Sequence, residues 1–408
     1  MINSRTSSRR EFLRKSVATG AVVGLAPRFA RAKRQVNETA VRSYRELGRT
    51  GLKISDISFG ASRLRSDGAH LVKHALDRGI NYFDTAYRYT GGTSEKVIGE
   101  VLQGIRQDVV LVSKFEGPAG SRQSEMMDEL ETSLKRLKTD YIDVYLAHAV
   151  NDVDRLKSDE WLEFVARAKA DGKIRFSGMS GHAGRLIECL DYALDEDMAD
   201  VILVAYNFGQ DPAFYEKFTR SFNYVAVQTD LPRVLSKAKS KNVGVVAMKT
   251  LMGARLNDLR KYEDSGATFA QAAFRWVLSN KDVDALVISM TGREEIDEYL
   301  GASGSGEVTS TDLDLLFRYA KTNGMTYCAH ACDDCSGSCP YGVQISDVLR
   351  TRMYATDYRD IQFARDEYAL LDTDAAACLT CSGQPCKDAC SKGISINELC
   401  GPTHRMLA

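Results

Sequence analysis

Four side chains able to pass a proton to or from an oxygen atom follow one another along the chain: Asp84, Tyr89, Lys114 and His148. A phenol, with an ordinary pKa of about 10, is a weak acid at neutral pH. An ammonium beside it stabilises the phenolate and lowers that pKa, and Asp84 can hold Lys114 charged and in place. His148 can donate a hydrogen bond to a carbonyl oxygen and orient it. Such an array protonates an oxyanion as hydride reaches the adjacent carbon. General acid catalysis of this kind contributes about 10²–10⁴-fold in rate, and oriented donors at the oxygen add to it. A second set of reactive side chains lies far downstream. Of ten cysteines, nine come after residue 327. The other, Cys189, sits in a helical pattern and reads as core.

Backbone elements must deliver these groups. Asp84 closes the short run Tyr82-Phe83-Asp84, which breaks into a small-residue loop carrying Tyr89; Lys114 and His148 close the next two runs. The spacing predicts strands at Ile57–Ala61, Tyr82–Thr85, Val109–Lys114, Tyr141–His148, Ile174–Met179, Val201–Asn207, Val243–Lys249 and Ala285–Ser289. Between them, apolar residues recur at three- and four-residue spacing in Ala69–Arg78, Ser121–Leu137, Glu160–Ala170, Arg185–Asp195 and Thr268–Leu278, as on an amphipathic helix. Gly79 and Gly172 follow two of these helices as C-caps. Residues 44–55 read as a hairpin turned by Gly48 and Gly51. Alternating strands and helices predict an α/β fold, a (β/α)₈ TIM barrel, in which strand C-termini meet at one mouth. No Gly-x-Gly-x-x-Gly follows the first strand, which argues against a doubly wound dinucleotide fold.

The 408 residues, 44% hydrophobic and 27% charged, suit a full-sized soluble domain plus a smaller unit. A net charge of -1 excludes a bulk basic surface for nucleic acid. The expected boundaries are a signal segment at 1–32, a linker at 33–43, the barrel at 44–305, a helical connector at 306–327 and a cysteine-rich unit at 328–408. The first segment carries Ser8-Arg9-Arg10-Glu11-Phe12-Leu13, an apolar run from Val17 to Ala26, and Ala30-Arg31-Ala32. It resembles bacterial twin-arginine export signals. The apolar run is too short to span a bilayer, so the expectation is a periplasmic or otherwise exported protein with no stable membrane span once mature.

The chain resembles the aldo/keto reductase family over residues 44–300. The matching stretches are Tyr44-Arg45-Glu46-Leu47-Gly48-Arg49-Thr50-Gly51-Leu52, Asn81-Tyr82-Phe83-Asp84-Thr85-Ala86 and Tyr89 with Ser94-Glu95. Then come Val112-Ser113-Lys114, Ser133-Leu134-Lys135-Arg136-Leu137 and Asp143-Val144-Tyr145-Leu146-Ala147-His148. The resemblance implies a catalytic tetrad of Asp84, Tyr89, Lys114 and His148, a small carbonyl or alcohol substrate, and a nicotinamide cofactor, NADP(H) or NAD(H), across the mouth. It also implies cofactor contacts from Ser180, Tyr206, Asn207, Lys249, Gly253 and Arg293, with Arg293 opening a helix whose N-terminus suits phosphate. The chain departs from the family pattern at Gly181, Leu203 and Tyr299.

The C-terminus carries Cys328-x₃-Cys332-x₂-Cys335-x₃-Cys339-Pro340 and Cys378-x₂-Cys381-x₄-Cys386-x₃-Cys390. Both runs continue alike, into Gly342-Val343-Gln344-Ile345-Ser346 and Gly393-Ile394-Ser395-Ile396-Asn397. They resemble the two-cluster ferredoxin pattern, in which the fourth Cys of each run serves the other cluster. That resemblance implies a small, mainly α-helical ferredoxin-like domain with two [4Fe–4S] clusters: one on Cys328, Cys332, Cys335 and Cys390, the other on Cys378, Cys381, Cys386 and Cys339, with Cys400 spare. Four disulfides or two Cys₄ zinc sites are the competing readings. The function expected is an exported oxidoreductase that reduces a carbonyl or oxidises an alcohol. Its clusters serve electron transfer to a redox partner protein or structure. The alternative is a non-catalytic cofactor-sensing or interaction protein on a reductase barrel, with a structural metal or disulfide module.

Overall fold

The computed structural model describes residues 39–182, 185–209, 228–251, 263, 267–323, 328, 334–335, 337–356, 360–391 and 393–408. The twin-arginine segment, Gly253 and Cys332 lie outside the described residues. The described chain opens with a hairpin, β1 (Tyr44–Glu46) and β2 (Lys53–Ser55). At its turn Gly48 takes φ +48, and a Cβ there would lie 2.2 Å from the Gly244 amide nitrogen. Only glycine allows both that conformation and that approach.

Eight parallel strands follow: β3 (Ile57–Gly60), β4 (Tyr82–Asp84), β5 (Val110–Phe115), β6 (Ile142–Ala147), β7 (Ile174–Gly181), β8 (Val201–Ala205), β9 (Gly244–Met248) and β10 (Ala285–Ser289). They close in sequence order, with β10 pairing back to β3. The helices between and after them are α1 (Ala69–Asp77), α2 (Thr93–Val101), α3 (Gln123–Leu137), α4 (Asp154–Lys157), α5 (Asp159–Ala170), α6 (Leu186–Asp195), α7 (Leu231–Ser240), α8 (Phe269–Ser279) and α9 (Arg293–Leu300). The expected barrel is therefore observed, with each strand within two residues of its predicted ends.

Side chains alternate across the barrel wall, as a period of two requires. Tyr82, Val110, Val112, Val144, Leu146, Val201, Leu203 and Val246 fill the interior. Phe83, Leu111, Tyr145, Ile202, Val204 and Val245 pack outward among the helices. Leu47, Leu52 and Ile54 of the hairpin join the interior cluster, beside the N-terminal ends of the strands. The hairpin thus stoppers the base and leaves the strand C-termini as the mouth.

After the barrel, α10 (Ser310–Asn323) is tied to α8 by a buried ion pair in which Arg275 Nε donates to Asp312 Oδ2 at 2.9 Å. Four more helices follow: α11 (Ile345–Thr356), α12 (Ile361–Tyr368), α13 (Pro385–Ala389) and α14 (Ile396–Leu407). They share a second apolar core that includes Val343, Ile345, Val348, Ala364, Ile394, Ile396 and Cys400. The internal repeat is visible in the backbone. Gly342 and Gly393 take φ +66 and +63, and their amides donate to the Cys339 and Cys390 carbonyls at 3.1 and 2.9 Å. Three residues beyond each glycine, at Ile345 and Ile396, a helix begins. Residues 38–408 form one compact unit.

Candidate active site at the barrel mouth

Asp84, Lys114 and His148 occupy the next inward positions after Tyr82, Val112 and Leu146, so the alternation that fills the barrel also aims them into its mouth. Asp84 is 4% exposed and Lys114 1%. Lys114 Nζ donates to Asp84 Oδ1 at 2.7 Å and to the Thr85 carbonyl at 2.6 Å. Burial pushes the Asp84 carboxyl up and the Lys114 ammonium down, and each charge partly restores the other. Tyr89 lies on the turn after β4, its ring centroid 4.9 Å from Lys114 Nζ. The His148 ring meets it edge-on, with centroids 5.6 Å apart. The four residues do converge.

One sequence expectation is corrected. Lys114 was expected to make the phenol more acidic, but burial, followed by the charges of Asp84 and Glu116, pushes Tyr89 well above the usual phenol range. The resting phenol is therefore a neutral donor. His148 is held down by burial, against the pull of Glu116, so its imidazole rests neutral. Its Nδ1 lies 3.5 Å from Glu116 Oε2, and its carbonyl accepts from Arg155 Nη1 at 2.7 Å. Glu116 was missed at the sequence level although the signal was present: two residues beyond Lys114, just past the end of β5, continues the same face. Behind it, the Glu116 amide donates to Glu129 Oε1 at 3.3 Å, and burial raises the Glu129 carboxyl to about 7.

The residues expected to hold a cofactor separate into those that face the mouth and those that do not. Ser180 Oγ accepts from the Ala149 amide at 2.9 Å and braces the turn after His148. Asn207 takes the inward register of Leu203; its Nδ2 donates to the Lys249 carbonyl at 3.3 Å and its Oδ1 accepts from Gly209. Tyr206 faces the other way. Its ring packs 5.2 Å from Trp276 and its hydroxyl accepts from Asn280 Nδ2 at 2.9 Å, which places it in the helix layer. The expectation that Tyr206 lines the mouth is therefore not met, because register puts Tyr206 and Asn207 on opposite faces. Lys249 adopts φ +57, a strained region for a lysine. Burial, then the charge of Arg350, lowers it to about 7. Arg293 is exposed at the start of α9.

In the cysteine-bearing part, Cys339, Cys378, Cys381 and Cys386 line one small pocket, together with Pro340 and Gln384. All nine described cysteines are free thiols. Among the described residues, no three Cys, His, Asp or Glu side chains stand close enough to share a single metal ion. Cys400 is buried in the module core and does not line the cavity. Cys189 is buried among the barrel helices, as expected, and burial raises its thiol to about 11.

The aldo/keto reductase family model matches residues 56–265. L-galactose dehydrogenase of Arabidopsis thaliana is 26% identical over 311 residues, covering 67% of this chain and 91% of that protein. The methylglyoxal reductase YeaE of Escherichia coli is 30% identical over 233 residues, covering 55% and 75%. Among solved structures, the aldo-keto reductase AKR11C1 of Bacillus halodurans superposes with a TM-score of 0.53 at 23% identity, covering 68% of this chain and 95% of that one; at that identity it speaks to the fold. Since the matched residues are those that build β3 to β9 and carry the four converging side chains, this chain belongs to the aldo/keto reductase family, and it is an oxidoreductase of that type.

Proposed function

We propose that the mouth of the barrel reduces a small carbonyl, or oxidises the matching alcohol, with a nicotinamide cofactor, and that Tyr89 is the proton donor. The observation that carries this is the buried Lys114–Asp84 contact at 2.7 Å beneath the Tyr89 ring and beside His148. Inward Asn207, Ser180 behind the His148 turn, and Lys249 near neutrality at the rim suit a polar, phosphate-bearing group, and these residues would hold it. When bound, a nicotinamide supplies or accepts the hydride. The chain's own part is proton chemistry. His148 orients the carbonyl oxygen, and Tyr89 O–H transfers its proton as that oxygen becomes an alkoxide. Lys114, fixed by Asp84 and the Thr85 carbonyl, supports the resulting phenolate. Replacing Tyr89 by Phe should lower NADPH-dependent reduction of methylglyoxal by about 10²–10⁴-fold with an unchanged melting temperature; unchanged turnover would sink the assignment.

The four sulfurs around one cavity are the set assigned to the second cluster on sequence grounds, and they support a [4Fe–4S] group there. Cys328, Cys335 and Cys390, with Cys332, would hold the other. Such clusters supply one-electron chemistry or a structural clamp. The repeated Gly-cornered backbone after Cys339 and Cys390 supports two equivalent halves. Anaerobic preparation followed by iron and sulfide analysis tests this, with about eight irons expected per chain; a colourless, iron-free protein with no titratable thiols would mean disulfides. The twin-arginine segment supports export of the folded protein, which fractionation of cells making the full chain would test.

A further inference from the structure

The loop leaving β3 sits among the supports of the candidate active site. The Ala61 amide donates to the Asp84 carbonyl at 2.8 Å, and the Ala61 carbonyl accepts from Ser94 Oγ at 2.9 Å. Ser94 Oγ lies 2.7 Å from Thr85 Oγ1, and the Thr85 carbonyl holds Lys114. Three residues on, Leu64 meets the turn that carries Tyr89. Thr90 takes φ +50 and ψ +40 there, a left-handed conformation that a β-branched residue resists. Its hydroxyl shares its proton between the Leu64 carbonyl at 2.9 Å and the Tyr89 carbonyl at 2.8 Å. The same hydroxyl accepts from the Ser94 amide at 3.0 Å. Backbone held in such a region persists only where its surroundings over-determine it. Leu64 thus helps to keep Thr90, and Tyr89 beside it, in place.

On either side of Leu64, two arginines reach the C-terminal helices. Arg63 Nη2 donates to Asp360 Oδ2 at 3.0 Å, and Arg65 Nη2 donates to Asp360 Oδ1. The Arg63 and Asp360 side chains are only 10% and 16% exposed, so salt screens their pair less than a surface one. The Arg63 guanidinium also lies 5.8 Å from the Phe363 ring centroid. Asp360 caps α12 as well, accepting from the Phe363 amide at 3.2 Å. The far end of α12 is anchored in the cysteine-bearing part. Tyr368 Oη accepts from the Ala375 amide at 2.9 Å, and the Ala375 carbonyl accepts from the Cys378 amide at 3.0 Å. Asp360 therefore clasps α12 onto the loop that supports Tyr89.

We infer that Asp360 is a positioning residue for Tyr89, and that this clasp makes the C-terminal helices a working part of the reductase site. The inference rests on the reading of Tyr89 as proton donor given above. Its line of action runs from Asp360 through Arg63 and Arg65 to Leu64, whose carbonyl holds Thr90. Proton transfer needs the phenol in line with the oxygen it serves, and a small displacement spoils that alignment. Substrate binding, spread over more contacts, suffers less. Loss of the clasp should therefore appear in kcat rather than in KM.

The test follows NADPH-dependent reduction of methylglyoxal by the full-length protein. Asp360→Asn keeps a helix-capping oxygen and removes the charge that the two arginines share, so circular dichroism should be unchanged. In this variant kcat should fall about tenfold, with KM within about twofold of the wild type. Thr90→Val removes the hydroxyl that reaches the Leu64 carbonyl and should lower kcat likewise. Adding Asp360→Asn to Thr90→Val should cost little more, because both changes cut one line of support. An unchanged kcat in Asp360→Asn, a loss confined to KM, or losses that multiply in the double variant overturns the inference. Hydrogen exchange reads the turn without turnover. The Gly91 and Ser94 amides should exchange faster in Asp360→Asn than in the wild type, and equal rates overturn the clasp. Absence of reduction by the wild type would fault the reductase reading instead, and the exchange rates would still decide the clasp.

Discussion

The barrel and the helices after residue 328 solve the same problem, holding reactive groups in place, by opposite means. In the barrel, each of Asp84, Lys114 and His148 continues an inward row of packed apolar side chains, so its direction is fixed by backbone that the core itself holds. In the cysteine-bearing part, the sulfurs of Cys339, Cys378 and Cys381 are only half-buried around a cavity, beside a small core. A unit of about 80 residues seldom sustains itself on apolar packing alone. The barrel's chemistry is a product of its fold, whereas the module sets its sulfurs beside a small core rather than in one.

The sharpest way to break that contrast is at Lys114. Lys114→Met should lower turnover by about 10²–10⁴-fold and leave Asp84 buried without its cation, a loss of about 3–5 kcal/mol that thermal melting would read. A variant that stays active and equally stable would mean the pair is ornamental. Next in size, Cys386→Ser should remove about half the iron, as expected for one of two clusters. The helices of the module should melt early while the barrel transition stays in place. Joint collapse of both transitions would mean that the two regions are held by one core.

A smaller effect is expected at Lys249, whose folded-state pKa is lowered to about 7. Between that value and its ordinary pKa of about 10.5, the unfolded chain binds more protons, so stability rises with pH through this window. Lys249→Met should therefore raise the melting temperature most at pH 6, with the gain shrinking toward pH 10. A gain independent of pH would assign the effect to packing. The smallest effect is at the clasp. Asp360→Asn should cost about 1–2 kcal/mol and speed hydrogen exchange in α12 and in the turn after β4, leaving the barrel strands protected.

Local rules carried the sequence far in the barrel, because strand ends and helix faces are set by neighbours a few residues apart. They missed Glu116 only because same-face spacing was not followed past Lys114. They misplaced Tyr206 because a motif names adjacent residues without saying which of the two faces inward. The contact from Arg63 to Asp360 was beyond them. Asp360 and Arg63 lie 297 residues apart, and no periodicity links them. The spacing grouped Cys339 with Cys378, Cys381 and Cys386, and these four line one pocket.

The stoppered base has a consequence for traffic. With Leu47, Leu52 and Ile54 plugging the far end, whatever enters the barrel must come and go by the strand C-termini, past Asp84, Lys114 and His148.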